Sequence, residues 1–264
     1  METGLKSFDR VADHYDATGA IPHDALAAVT AGIVRTLHEV TPMPSVLEVG
    51  IGTGRIAVPL AAAGVRMVGV DIAPAMLARL RAKHAELPVA MASALALPLR
   101  KRAVDAVLFV HLLHLIPDPS DALRAARGVV RHDGLLLYGR TDHGESARRR
   151  VIAGVREVLR ELTGMDLGGQ WNAKADKAFA DIAGDIGAPV VETVLARWTE
   201  QTNGRQLIDA LRRRLFSSTW AIPDAVMPEL IDRLTPQLEQ MLGGLDRSVD
   251  NEASFTLVAA RLPG

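Results

Sequence analysis

The N-terminal half of the chain alternates between short apolar runs and segments whose apolar residues recur at helical spacing. The runs predict strands near Ser45–Val49, Arg66–Asp71, Val89–Met91, Val104–Val110 and Leu135–Arg140. The intervening segments predict helices near Arg55–Ala63, Ala75–Ala85 and Ser120–Val130, with Pro59 expected to kink the first. Upstream, Ile21, Leu26, Val29, Ile33 and Leu37 fall on one face of a helix from Pro22 to about Glu39. Strands alternating with helices give a parallel sheet with right-handed crossovers, and ligands of such sheets bind beyond the C-terminal strand ends. Gly50, Asp71, Ser93, His111 and Thr141 all lie at those ends. After Thr141 the pattern becomes helical: Glu145–Thr163 and Trp171–Ile186 with Gly168-Gly169 between them, then a sixth strand over Val190–Gln201. Helices over Gln206–Leu215 and Pro228–Leu242 precede a closing strand over Ser254–Arg261.

The densest information lies in Ser45-Val46-Leu47-Glu48-Val49-Gly50-Ile51-Gly52-Thr53-Gly54-Arg55, followed by Val68-Gly69-Val70-Asp71. A buried strand runs into three glycines at alternate positions, and a second strand ends in a carboxylate placed to accept ribose hydroxyls. A dinucleotide fingerprint would put its third glycine at position 55, where this chain has Arg55. Glu48, at the mouth of the first strand, repels a pyrophosphate but suits an ammonium group. A cationic nucleoside that carries an amino acid satisfies both carboxylates, and S-adenosylmethionine is such a molecule.

At these residues the chain resembles the class I S-adenosylmethionine-dependent methyltransferases, and within them the small-molecule branch similar to the methyltransferase domain of ubiquinone and menaquinone biosynthesis. Leu47–Gly54 looks like the family's first motif, Gly69–Leu77 its second, Ser93-Ala94-Leu95-Ala96-Leu97-Pro98 its third, and Val104–His111 and Gly134–Gly139 its fourth and fifth strands. The match spans roughly Phe8 to Thr141, with a weaker echo in Ala253–Arg261. The resemblance implies an α/β, Rossmann-like, seven-stranded and mostly parallel sheet with helices on both faces, an antiparallel last strand, and helical insertions forming a lid. It implies one methyltransferase domain over residues 1–264: a helical cap at 1–40, a cofactor-binding core at 41–141, helical substrate and lid elements with strand six at 142–250, and the last strand at 251–264. It also implies donor contacts at Tyr15, Glu48, Gly50, Gly52, Thr53, Gly54, Asp71, Ile72, Met76, Ser93, Ala94 and Val110. Ser93 departs from the family's usual Asp, so its hydroxyl offers adenine a neutral hydrogen bond in place of a charge-assisted one. Tyr15 lies in a segment that resembles the one closing over the donor; packing of a loose N-terminus is the alternative reading.

Composition narrows the partners. The net charge is −1, and polyanion binding calls for a basic face. The triplets Arg148–Arg150 and Arg212–Arg214 fan around helices among acidic residues and read as solvated surface, so no nucleic acid is expected. No apolar run approaches the roughly 20 residues of a membrane span, and charged residues interrupt the first twenty positions without an apolar stretch. Together with the absence of cysteine, this gives the expectation of a cytoplasmic protein without membrane or thiolate chemistry.

Methyl transfer from a sulfonium needs reactants held at near-attack distance, and a base only when the acceptor must lose a proton. His111, at the end of the fourth strand, is the candidate base, with passive pocket wall as the other reading; His143 lies past the fifth strand on the same rim. No metal is expected. Transfer to a small-molecule acceptor with S-adenosylhomocysteine as coproduct leads, beside a non-catalytic binding protein and an NAD-dependent oxidoreductase that Arg55 and Glu48 disfavour.

Overall fold

Val46, Leu47 and Val49 give the first strand, β1 (Ser45–Val49), its apolar character, and four of its five positions are buried, Glu48 among them. In β4 (Val104–Val110) every position is buried, as a central parallel strand with helices on both faces requires. The computed structural model describes residues 21–166 and 171–264. The other strands are β2 (Arg66–Asp71), β3 (Val89–Met91), β5 (Val130–Asp142), β6 (Val190–Thr202) and β7 (Val249–Arg261), in the sheet order β3-β2-β1-β4-β5-β7-β6. β1 pairs in parallel with β2 and β4, β2 with β3, and β4 with β5, while the last strand is antiparallel. The strand order reverses between β1 and β4, so a crevice opens where their C-terminal ends part.

The helices are α1 (His23–His38), α2 (Ala57–Ala62), α3 (Pro74–Lys83), α4 (Pro119–Val129), α5 (Ala147–Thr163), α6 (Trp171–Gly184), α7 (Gly204–Arg212) and α8 (Met227–Leu242). Among the described residues no helix is long and apolar enough to cross a membrane. α2 begins only at Ala57, which corrects the expected kink. Pro59 stands in the first turn, where a backbone N–H has no intrahelical acceptor, so it removes no helical bond.

The chain folds into two compact units. Among the described residues, the first comprises 21–141, 171–196 and Phe255–Gly264; the second 142–166 and Arg197–Ser254. In the first, the core joins Leu47, Val107, Phe109 and Leu136 of the sheet to Leu123 and Ala126 of α4 and Phe179 of α6. Asp105, only 5% exposed, ties strand starts together by accepting from the Ser45 N–H at 2.6 Å and the Ser45 hydroxyl at 2.8 Å. The second unit packs Val151, Val155 and Leu159 of α5 against Leu230, Leu234 and Leu238 of α8. There the buried Asn251 side chain accepts from the Ala147 N–H at 2.6 Å and so satisfies a free donor at the start of α5.

Candidate active site

The β1 strand ends in a turn whose three glycines all have left-handed backbones: φ is +76° at Gly50, +55° at Gly52 and +84° at Gly54. A side chain at Gly50 would also come within 2.9 Å of Leu112, and one at Gly54 within 2.5 Å of Leu80. Only glycine meets both demands cheaply. The turn is fastened to β2: the N–H groups of Gly50 and Ile51 donate to the Val70 carbonyl at 2.8 and 3.0 Å. Asp71 completes the fastening. One of its carboxylate oxygens accepts from the Gly52 N–H and the other from the Ala73 N–H, each at 2.8 Å. These two backbone bonds orient the carboxylate at the end of β2.

A cleft opens around this turn. Gly50, Gly52, Asp71, Ile72, Met76, Ala94, Val110 and His111 line it, so eight of the expected site residues meet in one place. Val49, Ala92, Leu112, Leu115 and Ile116 line it as well. Sequence reading passed over Leu112, Leu115 and Ile116; the signal available was the apolar run continuing past the fourth strand into the short 3-10 turn at Leu113–Leu115.

Other expected residues lie off this surface. Thr53, Gly54 and Ser93 are not part of the lining; Thr53 is buried, and the Ser93 hydroxyl accepts from the Leu95 N–H at 3.2 Å, closing its own turn. Glu48 is also absent from the lining and is only 3% exposed. Its carboxyl takes a hydrogen bond from the Ala57 backbone, while Oε2 is buried with no hydrogen-bond partner among the described residues. Burial, with the nearby Asp71 charge as a second cause, pushes its pKa up to about 8. At neutral pH Glu48 is therefore mostly a neutral acid, poorly suited to the charge pairing with an ammonium that its sequence position suggests. Tyr15 lies outside the described residues.

His111 sits on the cleft wall in a left-handed conformation, φ +52°, with its N–H donating to the Gly139 carbonyl at 3.1 Å and Nε2 at 2.9 Å from the Thr141 hydroxyl. His143 belongs to the second unit. Its Nε2 lies 3.3 Å from Arg148 Nη1, and a guanidinium can only donate, so Nε2 is the acceptor. Burial and the Arg148 charge lower its pKa to about 4. Arg148 in turn lies over the Phe216 ring, 4.7 Å from the centroid.

The sequence matches a family described as "Methyltransferase domain" over residues 47–138. It is 30% identical over 190 residues to the "Uncharacterized methyltransferase Mb3374" of Mycobacterium bovis, an alignment covering 72% of this chain and 71% of that protein. The chain belongs to the methyltransferases. The "Probable S-adenosylmethionine-dependent methyltransferase Rv3030" of Mycobacterium tuberculosis is 25% identical, across 82% of this chain and 76% of that protein. A "Ubiquinone biosynthesis O-methyltransferase" of Chromobacterium violaceum is 26% identical over 48% of this chain and 63% of that protein. Among solved structures, the YcgJ protein of Bacillus subtilis superposes with a TM-score of 0.57 at 15% identity, over 92% of this chain and 99% of that one, a likeness of fold. The glycine turn and the oriented Asp71 carboxylate have the arrangement that suits the nucleoside of S-adenosylmethionine, the donor in the name of the Mycobacterium tuberculosis relative.

Proposed function

We propose that this methyltransferase acts on a small-molecule acceptor held in the Asp71–His111 cleft. One observation carries the reading: the glycine turn, the oriented Asp71 carboxylate and His111 all open onto the same, mostly apolar, cleft. Gly50 and Gly52 leave space for the donor beside the backbone, and Asp71, oriented by the Gly52 and Ala73 amides, accepts the ribose hydroxyls. Ile72, Met76 and Ala94 supply apolar walls for the adenine, and Val110 borders the reacting end. Bound S-adenosylmethionine supplies an electrophilic methyl carbon, the electron pair of the broken C–S bond stays on sulfur, and S-adenosylhomocysteine leaves. His111 serves as the base when the acceptor must give up a proton. His143 is a weaker candidate, because its lone pair faces a guanidinium and its basicity is low. The chain's net charge of −1 and the O-methyltransferase relative support a small acceptor over a nucleic acid, and the absence of cysteine supports action in the cytoplasm.

Calorimetric titration with S-adenosylhomocysteine, with NAD as control, tests the site. Saturable binding of the first alone is expected. Asp71→Ala should weaken it by roughly 10- to 150-fold, the loss of about 1.5–3 kcal/mol for a hydrogen bond to a charged acceptor. Gly52→Val should abolish it by placing a branched side chain at the cleft wall. Unchanged affinity in a folded Asp71→Ala variant would refute the assignment.

A further inference from the structure

The triplet Arg148–Arg150 reads as solvated surface in the sequence, and for Arg149 and Arg150 the structure agrees, since both are exposed. Arg148 departs from that expectation. It is half-buried in the second unit, with Cζ 4.7 Å from the centroid of the buried Phe216 ring and Nη1 3.3 Å from His143 Nε2. Among the described residues these are its side-chain partners, and neither is an anion. Two other poorly exposed arginines show what such a group ordinarily receives. Arg140 meets Asp176 at 2.9 Å and Glu192 at 3.1 Å, and Arg214 meets Asp224 at 2.5 Å.

The acids of the second unit that could serve Arg148 are committed elsewhere. Glu145 pairs with Arg149 at 3.3 Å, and the first turn of α5 holds no acidic residue. Glu200 reaches Arg148 only through space, and its carboxylate accepts from the Trp198 indole N–H at 2.7 Å. A guanidinium does not give up its proton in a protein, so Arg148 stays a cation. Burial nevertheless holds its pKa below the ordinary value, and the Glu200 charge offsets this only in part. A cation withdrawn from water without an anionic partner is unfavourable, and an anion from outside the chain removes that cost. Phe216 occupies one face of the guanidinium and His143 takes one donor, so further acceptors approach in its plane.

We propose that Arg148 anchors a binding site within the second unit for the carboxylate of a small molecule other than the methyl donor. The charge of the cluster selects this ligand class. His143, lowered to about 4, is neutral at pH 7, so Arg148 alone supplies positive charge beside the Phe216 ring. A planar monoanion balances one cation and accepts two parallel N–H bonds from the guanidinium fork. A phosphate dianion exceeds that charge and meets the field of Glu200 as well.

Sodium benzoate is the probe and benzamide, its uncharged analogue of the same shape, the control, both at pH 7 and constant ionic strength. The NMR signals of the His143 imidazole and the Arg148 guanidinium should shift saturably with benzoate and stay in place with benzamide. No response to benzoate, an equal response to benzamide, or an equal or stronger response to inorganic phosphate overturns the proposal. This comparison uses the wild-type protein and stands without any variant. Arg148→Gln should weaken benzoate binding roughly tenfold or more, while Arg148→Lys, which keeps the charge without the fork, should recover only part of the loss. Wild-type benzoate affinity in a folded Arg148→Gln variant, or full recovery in Arg148→Lys, overturns the role of the fork. S-adenosylhomocysteine is itself a carboxylate and separates the two sources. Its affinity should stay within about threefold of wild type in Arg148→Gln, and a larger loss would make the donor's own carboxylate the ligand and overturn a separate site.

Discussion

Glu48→Gln isolates one buried carboxyl beneath the donor turn. Glu48 is raised from an ordinary value of 4.5 to about 8 in the folded protein. Below about pH 4.5 both folded and unfolded chains hold the proton and the group is indifferent to pH. As pH rises the unfolded chain ionises first, so stability falls by about 1.4 kcal/mol per pH unit until the folded group also ionises near pH 8. Integrated between pH 6 and pH 9, the loss is about 3 kcal/mol, a large share of the stability of an ordinary domain. Glutamine keeps an oxygen for the Ala57 N–H but cannot ionise, so the variant loses none of this. Urea denaturation of both proteins at the two pH values measures it directly: the wild-type midpoint should fall, and the gap between the proteins should widen by about that amount. A parallel pH dependence in wild type and variant would refute the buried-acid argument. The same variant, titrated with S-adenosylhomocysteine at pH 7, tests the expected ammonium contact. Affinity within about threefold of wild type fits a side chain that lies off the cleft lining, whereas a loss of an order of magnitude or more would place the Glu48 charge at the donor.

Two further predictions concern the turn and the second unit. Gly54→Ala adds a Cβ 2.5 Å from Leu80 and 2.9 Å from Val58 to a φ of +84°, whereas Gly64→Ala meets nothing within 4 Å at a φ of +91°. Both should lower the thermal midpoint, and Gly54→Ala should cost roughly 1–3 kcal/mol more by overpacking; equal losses would mean that Leu80 moves aside freely. His143 is lowered from 6.5 to about 4, so below pH 6.5 the unfolded chain binds the proton more readily. Stability of the second unit should therefore fall as pH drops from about 6.5 to 4, by at most about 3 kcal/mol and less for a partly exposed group. His143→Gln should flatten that limb of a denaturation-versus-pH curve, and an unaltered limb would count against the Arg148 contact as its cause.

The parts of the fold legible in the sequence are those encoded by neighbours along the chain. Gly50, Gly52 and Gly54 announce their turn because each needs a left-handed backbone, and Asp71 follows at the end of the next apolar run. What local pattern does not encode is a side chain's distant partner. Glu48 and Asp71 are both carboxylates at strand ends, yet one is stranded beneath the turn and the other held at the cleft by two amides that only folding brings near. β7 starts at Val249, five residues before the expected Ser254, through the polar Asp250, Asn251 and Glu252, which lack the apolar pattern of a strand; Asn251 is buried there and gives its oxygen to the start of α5. β5 likewise runs from Val130 to Asp142 through an irregularity at Asp133, φ +58°, which hides its first residues from a periodic reading. His111 combines both cases. Its place at the end of a strand is visible in the sequence, but its attitude depends on Gly139, Thr141 and Phe255, up to 144 residues away in the chain, so the chemistry it can perform is decided by tertiary structure alone.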